Sequence, residues 1–219
     1  MKITQFALTT LNLTTLNLIN KGFDYVIKTS ETYKIDESHA LKHSMEVYNF
    51  AKKIYETEIV SSPYLEKQKE IIYMAAIGHD MCDKKYMNEK EGILNYQTFL
   101  SDLMTKNDLE IMGQIINTMS YSKVKVNGYP MLGDYQLAYH IVREADLLAA
   151  YDIDRCIIYN IFRNNCDYTQ SLHECFDLFN SRVFTMIENN LFTTNFAKKE
   201  SLKLHETAKI NLELLNKYL

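Results

Sequence analysis

Helix breakers are nearly missing from this chain: proline occurs only at Pro63 and Pro130, and glycine six times in 219 residues. Few tight hairpin turns can be built from such a sequence, and little in it would interrupt long helical stretches. The expectation is an all-α fold. A chain of this length can close around one core, and no repeat, low-complexity tract or shift of charge marks a boundary. We therefore expect one structural unit, with residues 1–35 forming an N-terminal helix docked on a helical domain that spans residues 36–219.

The formal charge is -4 at pH 7, with acids and bases mixed along the length. Such a chain has no basic stripe to track a nucleic-acid polymer, although a few local cations can hold a small anion. Cys82, Cys156, Cys166 and Cys175 show no C-x-x-C spacing and read as reduced thiols. Thr and Asn interrupt the apolar residues of the first twenty positions, which lack a leader-type apolar core. No run reaches the roughly 18 apolar residues of a membrane span. A soluble, cytoplasmic protein without a membrane partner is expected, and a homo-oligomer is compatible with the composition.

Apolar periodicity outlines the helices. Asp36 and Ser38 can cap a helix running to about Glu58, in which Val47, Phe50, Ala51 and Ile54 share one face with His43. Ser61-Ser62-Pro63 reads as a stop and restart, followed by a helix whose Ile72, Ala75 and Ala76 face inward and whose end reaches His79. From Lys84 to about Asn95 the periodicity weakens, suggesting a loop or short helix where a substrate can approach. Further helices are expected over Tyr96–Met104 and, after the Asn107-Asp108 start signal, over Leu109–Met119. Tyr121 to Gly133 is the least regular stretch, marked by Asn127-Gly128 and Tyr129-Pro130, and suits a lid or rim. Asp134 can cap a long helix in which Ala138, Val142, Ala145 and Ala149 form a buried stripe that carries Asp146 inward. Arg143 and Arg155 fall on this same helix, with Glu144 or Asp152 as candidate acidic partners. Amphipathic helix continues through Phe176, Phe179, Val183 and Ile187, and from Leu202 to Leu219.

Three helices thus turn metal-competent side chains toward an apolar interior: His43 on the first, His79 and Asp80 on the second, Asp146 on the third. A buried carboxylate is costly unless it is paired or coordinates a cation. A mixed imidazole and carboxylate set suits one divalent transition metal, Mn, Fe, Co, Ni or Zn, better than an all-oxygen Mg or Ca cage. The alternative is that the histidines are hydrogen-bonded core residues and the aspartates cap helices or pair with Arg or Lys.

Three segments carry a resemblance: Asp36-Glu-Ser-His39-Ala-Leu-Lys-His43-Ser-Met-Glu-Val47, Ala75-Ala-Ile-Gly-His79-Asp80-Met-Cys-Asp83-Lys-Lys85-Tyr86, and Ile141-Val-Arg-Glu-Ala-Asp146-Leu-Leu148. In order and spacing they look like the H…HD…D signature of the HD-domain metal-dependent phosphohydrolases. Ile116 to Lys123 and the helix from Thr207 to Leu219 are similar to the small single-domain members, so the likeness covers roughly Asp36 to Leu219. It implies a single metal on His43, His79, Asp80 and Asp146, and hydrolysis of a phosphate ester or anhydride in a small phosphorylated substrate, a nucleotide being the best guess. The metal would lower the pKa of its water for attack on phosphorus.

Asp83 can orient or deprotonate that water, or serve as a surface or capping carboxylate. His39 can contact substrate or support the ligands, and Lys85 and Lys123 can meet phosphate oxygens or remain solvated. Glu46 and Leu147 depart from the pattern where basic residues are usual, and Ala149 where some relatives have a second acid. His140 lies on a different helix face from Asp146, which disfavours a two-metal phosphodiesterase. A metal-binding scaffold without turnover and an iron oxygenase of HD type are the alternatives.

Overall fold

The computed structural model describes residues 2–217, with side chains from residue 13 onward. Its helices are α1 (Lys2–Tyr33), α2 (Leu41–Glu58), α3 (Lys69–Gly78), α4 (Glu89–Leu100), α5 (Lys106–Thr118), α6 (Tyr121–Asn127), α7 (Gln136–Ala149), α8 (Ile153–Arg163), α9 (Tyr168–Leu178) and α10 (Asn195–Asn216). Short 3₁₀ turns and one π turn join them, and no strand occurs among the described residues. The fold is all-α, as the dearth of breakers predicts. No described helix is long and apolar enough to cross a membrane.

α3 is the axis of the core. Every residue from Ile71 to Gly78 is buried, because α1, α2, α5 and α7 all pack around it. The stripes expected from periodicity are the faces that meet: Val47, Ala51 and Ile54 on α2, Ala75 and Ala76 on α3, and Ala138, Val142, Ala145 and Ala149 on α7 are fully buried. The many alanines let α2, α3 and α7 approach closely, which brings their polar members together. On α1, Leu18 and Val26 are buried and the helix packs on α2, α3 and α4. The side chains of residues 1–12 lie outside the described residues, as do Tyr218 and Leu219 at the end of the expected terminal helix.

Several helix ends differ from those expected, at Asp36, Asn88, Thr105 and Asp152 because a side chain satisfies other backbone donors. Asp36 does not cap α2: its Oδ1 accepts from Ser38 N at 3.0 Å and from the Ser38 hydroxyl, making a turn before the helix, while Ala40 is the residue at the N-cap. The polar stretch after Lys84 contains α4, started by Asn88, whose side chain accepts from Lys90 N and Glu91 N. Its buried face is only Gly92, Tyr96 and Leu100, too sparse to register as a period. α5 begins at Thr105, which accepts from Asp108 N at 3.2 Å. Tyr121 to Asn127 is helical, ending at Gly128 with φ +72°. Asp134 sits in a 3₁₀ turn, Gly133–Tyr135, ahead of α7 rather than capping it. α7 then stops at Ala149, and Asp152 opens α8 by accepting from Asp154 N and Arg155 N. Arg155 therefore lies on a separate helix from Asp146.

The wholly buried Glu144 of α7 accepts from Thr193 N at 2.8 Å, Thr193 Oγ1 at 2.6 Å, Thr194 N at 3.0 Å and Thr194 Oγ1 at 2.7 Å. Glu58 of α2 accepts from Asn195 N at 2.8 Å. Both carboxylates thus sit at the N-terminus of α10, where the helix dipole favours negative charge, and they tie that helix to the two that carry His43 and Asp146.

Gly78 closes α3 against the Tyr96 ring, which a Cβ would meet at 2.2 Å. Tyr96 is fully buried and its hydroxyl donates to Met74 O at 2.9 Å, so the ring cannot yield freely. Gly78→Ala, which in an open helix would stabilise by up to about 1 kcal/mol, is expected here to cost about 1–3 kcal/mol through overpacking. Denaturant unfolding of the two proteins measures the difference.

Candidate metal centre

The polar members of the three stripes converge. His43 comes from α2, and Asp146 from the last turns of α7. His79 and Asp80 stand in a 3₁₀ turn, His79–Cys82, rather than in the body of α3, and this tighter winding aims both at the same point. His43 Nε2 lies 3.2 Å from His79 Nε2, 3.3 Å from Asp80 Oδ2 and 3.4 Å from Asp146 Oδ1. His79 Nε2 is 3.4 Å from Asp80 Oδ2 and 3.6 Å from Asp146 Oδ1. His43, His79 and Asp146 form the one group of three or more metal-competent side chains found among the described residues.

The contacts themselves call for a positive centre. His79 Nδ1 lies 2.9 Å from Ala76 O, so it carries a hydrogen and a neutral ring presents a bare lone pair at Nε2. Around that lone pair stand a second imidazole nitrogen and two carboxylate oxygens. Asp80 Oδ2 is buried without a hydrogen-bond partner. Donors held about 2.1 Å from one ion stand roughly 3.0–3.4 Å apart at neighbouring positions of an octahedron or tetrahedron. The observed separations of 3.2–3.6 Å match this spacing, so His43, His79 and Asp146 can hold a metal ion.

Charge in the metal-free centre follows from the same crowding. Burial opposes a charge on His79, but the Asp80 and Asp146 carboxylates outweigh it and raise its pKa to about 10. Burial likewise opposes ionisation of the two aspartates, yet the facing histidines hold both well below the usual carboxylate range. A proton on His79 thus stands where a cation would.

Arg155 is the residue missed by sequence. Its Nε donates to Ser38 O at 2.6 Å, and its Nη2 and Nη1 lie 3.5 Å from Asp80 Oδ2 and 3.7 Å from Asp146 Oδ1. Neither acid suggested for it pairs with its guanidinium: Glu144 binds the start of α10, and Asp152 takes the Lys42 ammonium at 2.9 Å and only the backbone N of Arg155. The capping character of Asp152 could have shown that the long helix breaks in two, though not what the Arg155 guanidinium meets. Arg143, fully buried, donates to Leu191 O at 2.8 Å and faces the Tyr129 ring.

His39 is buried next to the centre, its ring 6.2 Å from that of His43. Ser38 Oγ donates to Asp36 Oδ1, His39 Nδ1 is 2.6 Å from Ser38 Oγ, and Lys85 Nζ is 3.2 Å from His39 Nε2. One assignment satisfies this chain: Lys85 donates to His39 Nε2 and His39 Nδ1–H donates to Ser38. Burial first, with Arg155 and Lys85 against the partial support of Asp80, lowers the His39 pKa to about 3 and keeps the ring neutral.

Asp83 is not on a helix but is the extended residue that ends the 3₁₀ turn. Its Oδ1 accepts from Lys85 N at 2.8 Å and its Oδ2 lies 3.5 Å from Lys85 Nζ. The Lys123 ammonium is bound by Glu89 and donates to Asn117 O at 2.6 Å. His140 stands apart from the cluster, 3.9 Å from Glu144. Burial pushes the Cys82 thiol up to about 12, so it packs as a protonated side chain. Glu46 is half-buried, and burial followed by Asp152 lifts its pKa to about 7.

No protein-family model, curated protein or solved structure matches the chain.

Metal binding at this centre must displace the His79 proton, since that pKa lies near 10. Apparent affinity for a divalent ion is expected to rise with pH across the neutral range, by about tenfold per unit for one displaced proton. Calorimetric titration at several pH values measures the slope. His79→Ala and Asp146→Ala should each abolish stoichiometric metal in elemental analysis; full occupancy in both would remove the centre from consideration.

Proposed function

We propose that this protein is a metal-dependent phosphohydrolase of the HD type, hydrolysing a phosphate ester or anhydride in a small phosphorylated molecule, a nucleotide being the favoured class. The observation that carries this is the crowding of two histidine nitrogens and two carboxylate oxygens around one point, with cationic groups of Arg155 and Lys85 at its edge. His43, His79, Asp80 and Asp146 would hold one divalent transition metal; Asp80 joins the other three because its orphaned Oδ2 faces both imidazoles. Such an ion, when bound, supplies a water of lowered pKa and polarises a phosphoryl oxygen.

The remaining work falls to the chain. Asp83, held at one oxygen by Lys85 N and ion-paired at the other with the Lys85 ammonium at 3.5 Å, would take a proton from the attacking water at that second oxygen. Neutral His39 holds the Lys85 ammonium by Nε2, which keeps that cation beside the centre to receive a phosphate oxygen. Lys123 would meet a phosphate only by leaving Glu89 and Asn117. With His43 and His79 buried and Asp146 part-exposed, a substrate would reach the centre past Asp146.

Purified, metal-reconstituted protein screened against nucleoside mono- and triphosphates and sugar phosphates, with phosphate and pyrophosphate both detected, tests the activity. Turnover that vanishes in Asp146→Ala is expected. A metal-loaded protein that releases neither product from any of these substrates would leave a metal-binding scaffold in its place. Asp83→Asn should retain metal and slow turnover by roughly 10²-fold or more, the scale of losing a general base. Lys85→Ala should raise KM with metal content unchanged.

A further inference from the structure

Arg155 stands at the open side of the centre. Its side chain is 18% exposed and that of Asp146 23%, against 1% and 5% for His43 and His79, and the guanidinium and the Asp146 carboxylate are 3.7 Å apart. Nε donates to Ser38 O at 2.6 Å. Nη1 and Nη2 reach Asp146 Oδ1 and Asp80 Oδ2 only at 3.7 and 3.5 Å, longer than the roughly 2.7–2.9 Å of a charge-assisted hydrogen bond. The outer fork of a mostly buried guanidinium is thus held by charge alone, and its donors are poorly satisfied.

The fork is joined to Lys85 by two routes. On one, Arg155 Nε binds Ser38 O, Ser38 Oγ lies 2.6 Å from His39 Nδ1, and His39 Nε2 lies 3.2 Å from Lys85 Nζ. On the other, α8 carries Tyr159 and Arg163 as well as Arg155: Lys85 Nζ lies 5.4 Å from the Tyr159 ring centroid, and Arg163 Nη2 donates to Lys85 O at 3.0 Å. Asp152 fixes the start of that helix, accepting from Arg155 N at 3.3 Å and from Lys42 Nζ of α2 at 2.9 Å. Two cations are therefore mounted on one bracket, and the guanidinium faces the two acids that a divalent ion would take.

We propose that Arg155 is a substrate-binding residue with two successive partners. It pairs with Asp80 and Asp146 in the metal-free protein, and with phosphoryl oxygens of the substrate, next to Lys85, once a divalent ion occupies those carboxylates. This rests on the phosphohydrolase reading and adds to it a residue that links metal and substrate binding. The guanidinium competes with such an ion for the same two oxygens, so its Nη donors lose their partners when the centre is loaded, while Nε keeps its anchor on Ser38 O. A phosphoryl group offers two oxygens at a spacing that a planar fork matches and an ammonium does not. Lys85 cannot supply the charge alone, since Asp83 lies 3.5 Å from its Nζ.

Calorimetric titration of the full-length protein with cobalt(II), and of the cobalt-loaded protein with inorganic phosphate, reads the two partners separately. Arg155→Met should weaken phosphate by about tenfold or more, the scale of a lost charge-assisted hydrogen bond. The same variant should bind cobalt(II) about threefold or more tightly, because a cation competing for Asp80 and Asp146 is gone. An arginine with only a structural role would weaken both ligands on removal. Arg155→Lys, which keeps the charge and loses the fork, should hold cobalt(II) as the unaltered protein does and bind phosphate with intermediate affinity; it serves if the methionine variant does not fold. Unchanged phosphate affinity in either folded variant, or cobalt(II) bound no more tightly by Arg155→Met, overturns the assignment. Opposite shifts of the two affinities without turnover in the substrate screen would sink the hydrolase reading alone. Turnover with arginine-independent phosphate binding would sink the assignment alone.

Discussion

Four side chains that accept more readily than they donate are pressed together inside a helical core, and the rest of the molecule is arranged around that crowding. His43, His79, Asp80 and Asp146 place nitrogen and oxygen atoms 3.2–3.6 Å apart, a spacing that repels unless something positive lies between them. In the metal-free protein a proton on His79 and the Arg155 fork meet this need. A divalent cation would meet it more fully, because the distances are those between neighbouring ligands of one ion.

Holding such a cluster requires rigid supports on every side. α3 supplies one, buried from Ile71 to Gly78 and packed by four other helices, and it winds tighter at its end so that two consecutive residues can face one point. The alanines on α2, α3 and α7 supply another, by letting those helices approach until their polar members meet. Glu144 and Glu58 complete the frame by fastening α10 to α7 and α2 through hydrogen bonds to its first residues. A buried carboxylate on α7 thus has two different uses two residues apart: Glu144 caps a helix, and Asp146 faces the centre.

Around the rim, cations differ by what already satisfies them. Lys123 is engaged by Glu89 and a carbonyl, Lys85 by His39 and Asp83, and Arg155 by the centre itself. Such graded satisfaction orders the groups by how readily each would accept an incoming anion, since an already paired cation must break a contact to do so.

The sequence alone determined the helical class, the inward stripes and the four residues of the cluster, because each is a local statement: breakers are scarce, and His43, His79 and Asp146 share phase with Val47, Ala76 and Val142. Helix ends were less legible. Asp36 and Asp134 carry the chemistry of caps without acting as caps, and Asn88, Thr105 and Asp152 act as caps, because a short polar side chain can bond to whichever nearby backbone donors the chain presents. The position of Arg155 beside the centre was beyond reach for a stronger reason. That position depends on where α8 meets the turn before α2, through Arg155 Nε and Ser38 O, and the charges it meets come from residues distant in the chain. Periodicity reports which face of a helix is buried; only the tertiary structure decided which charges share that burial.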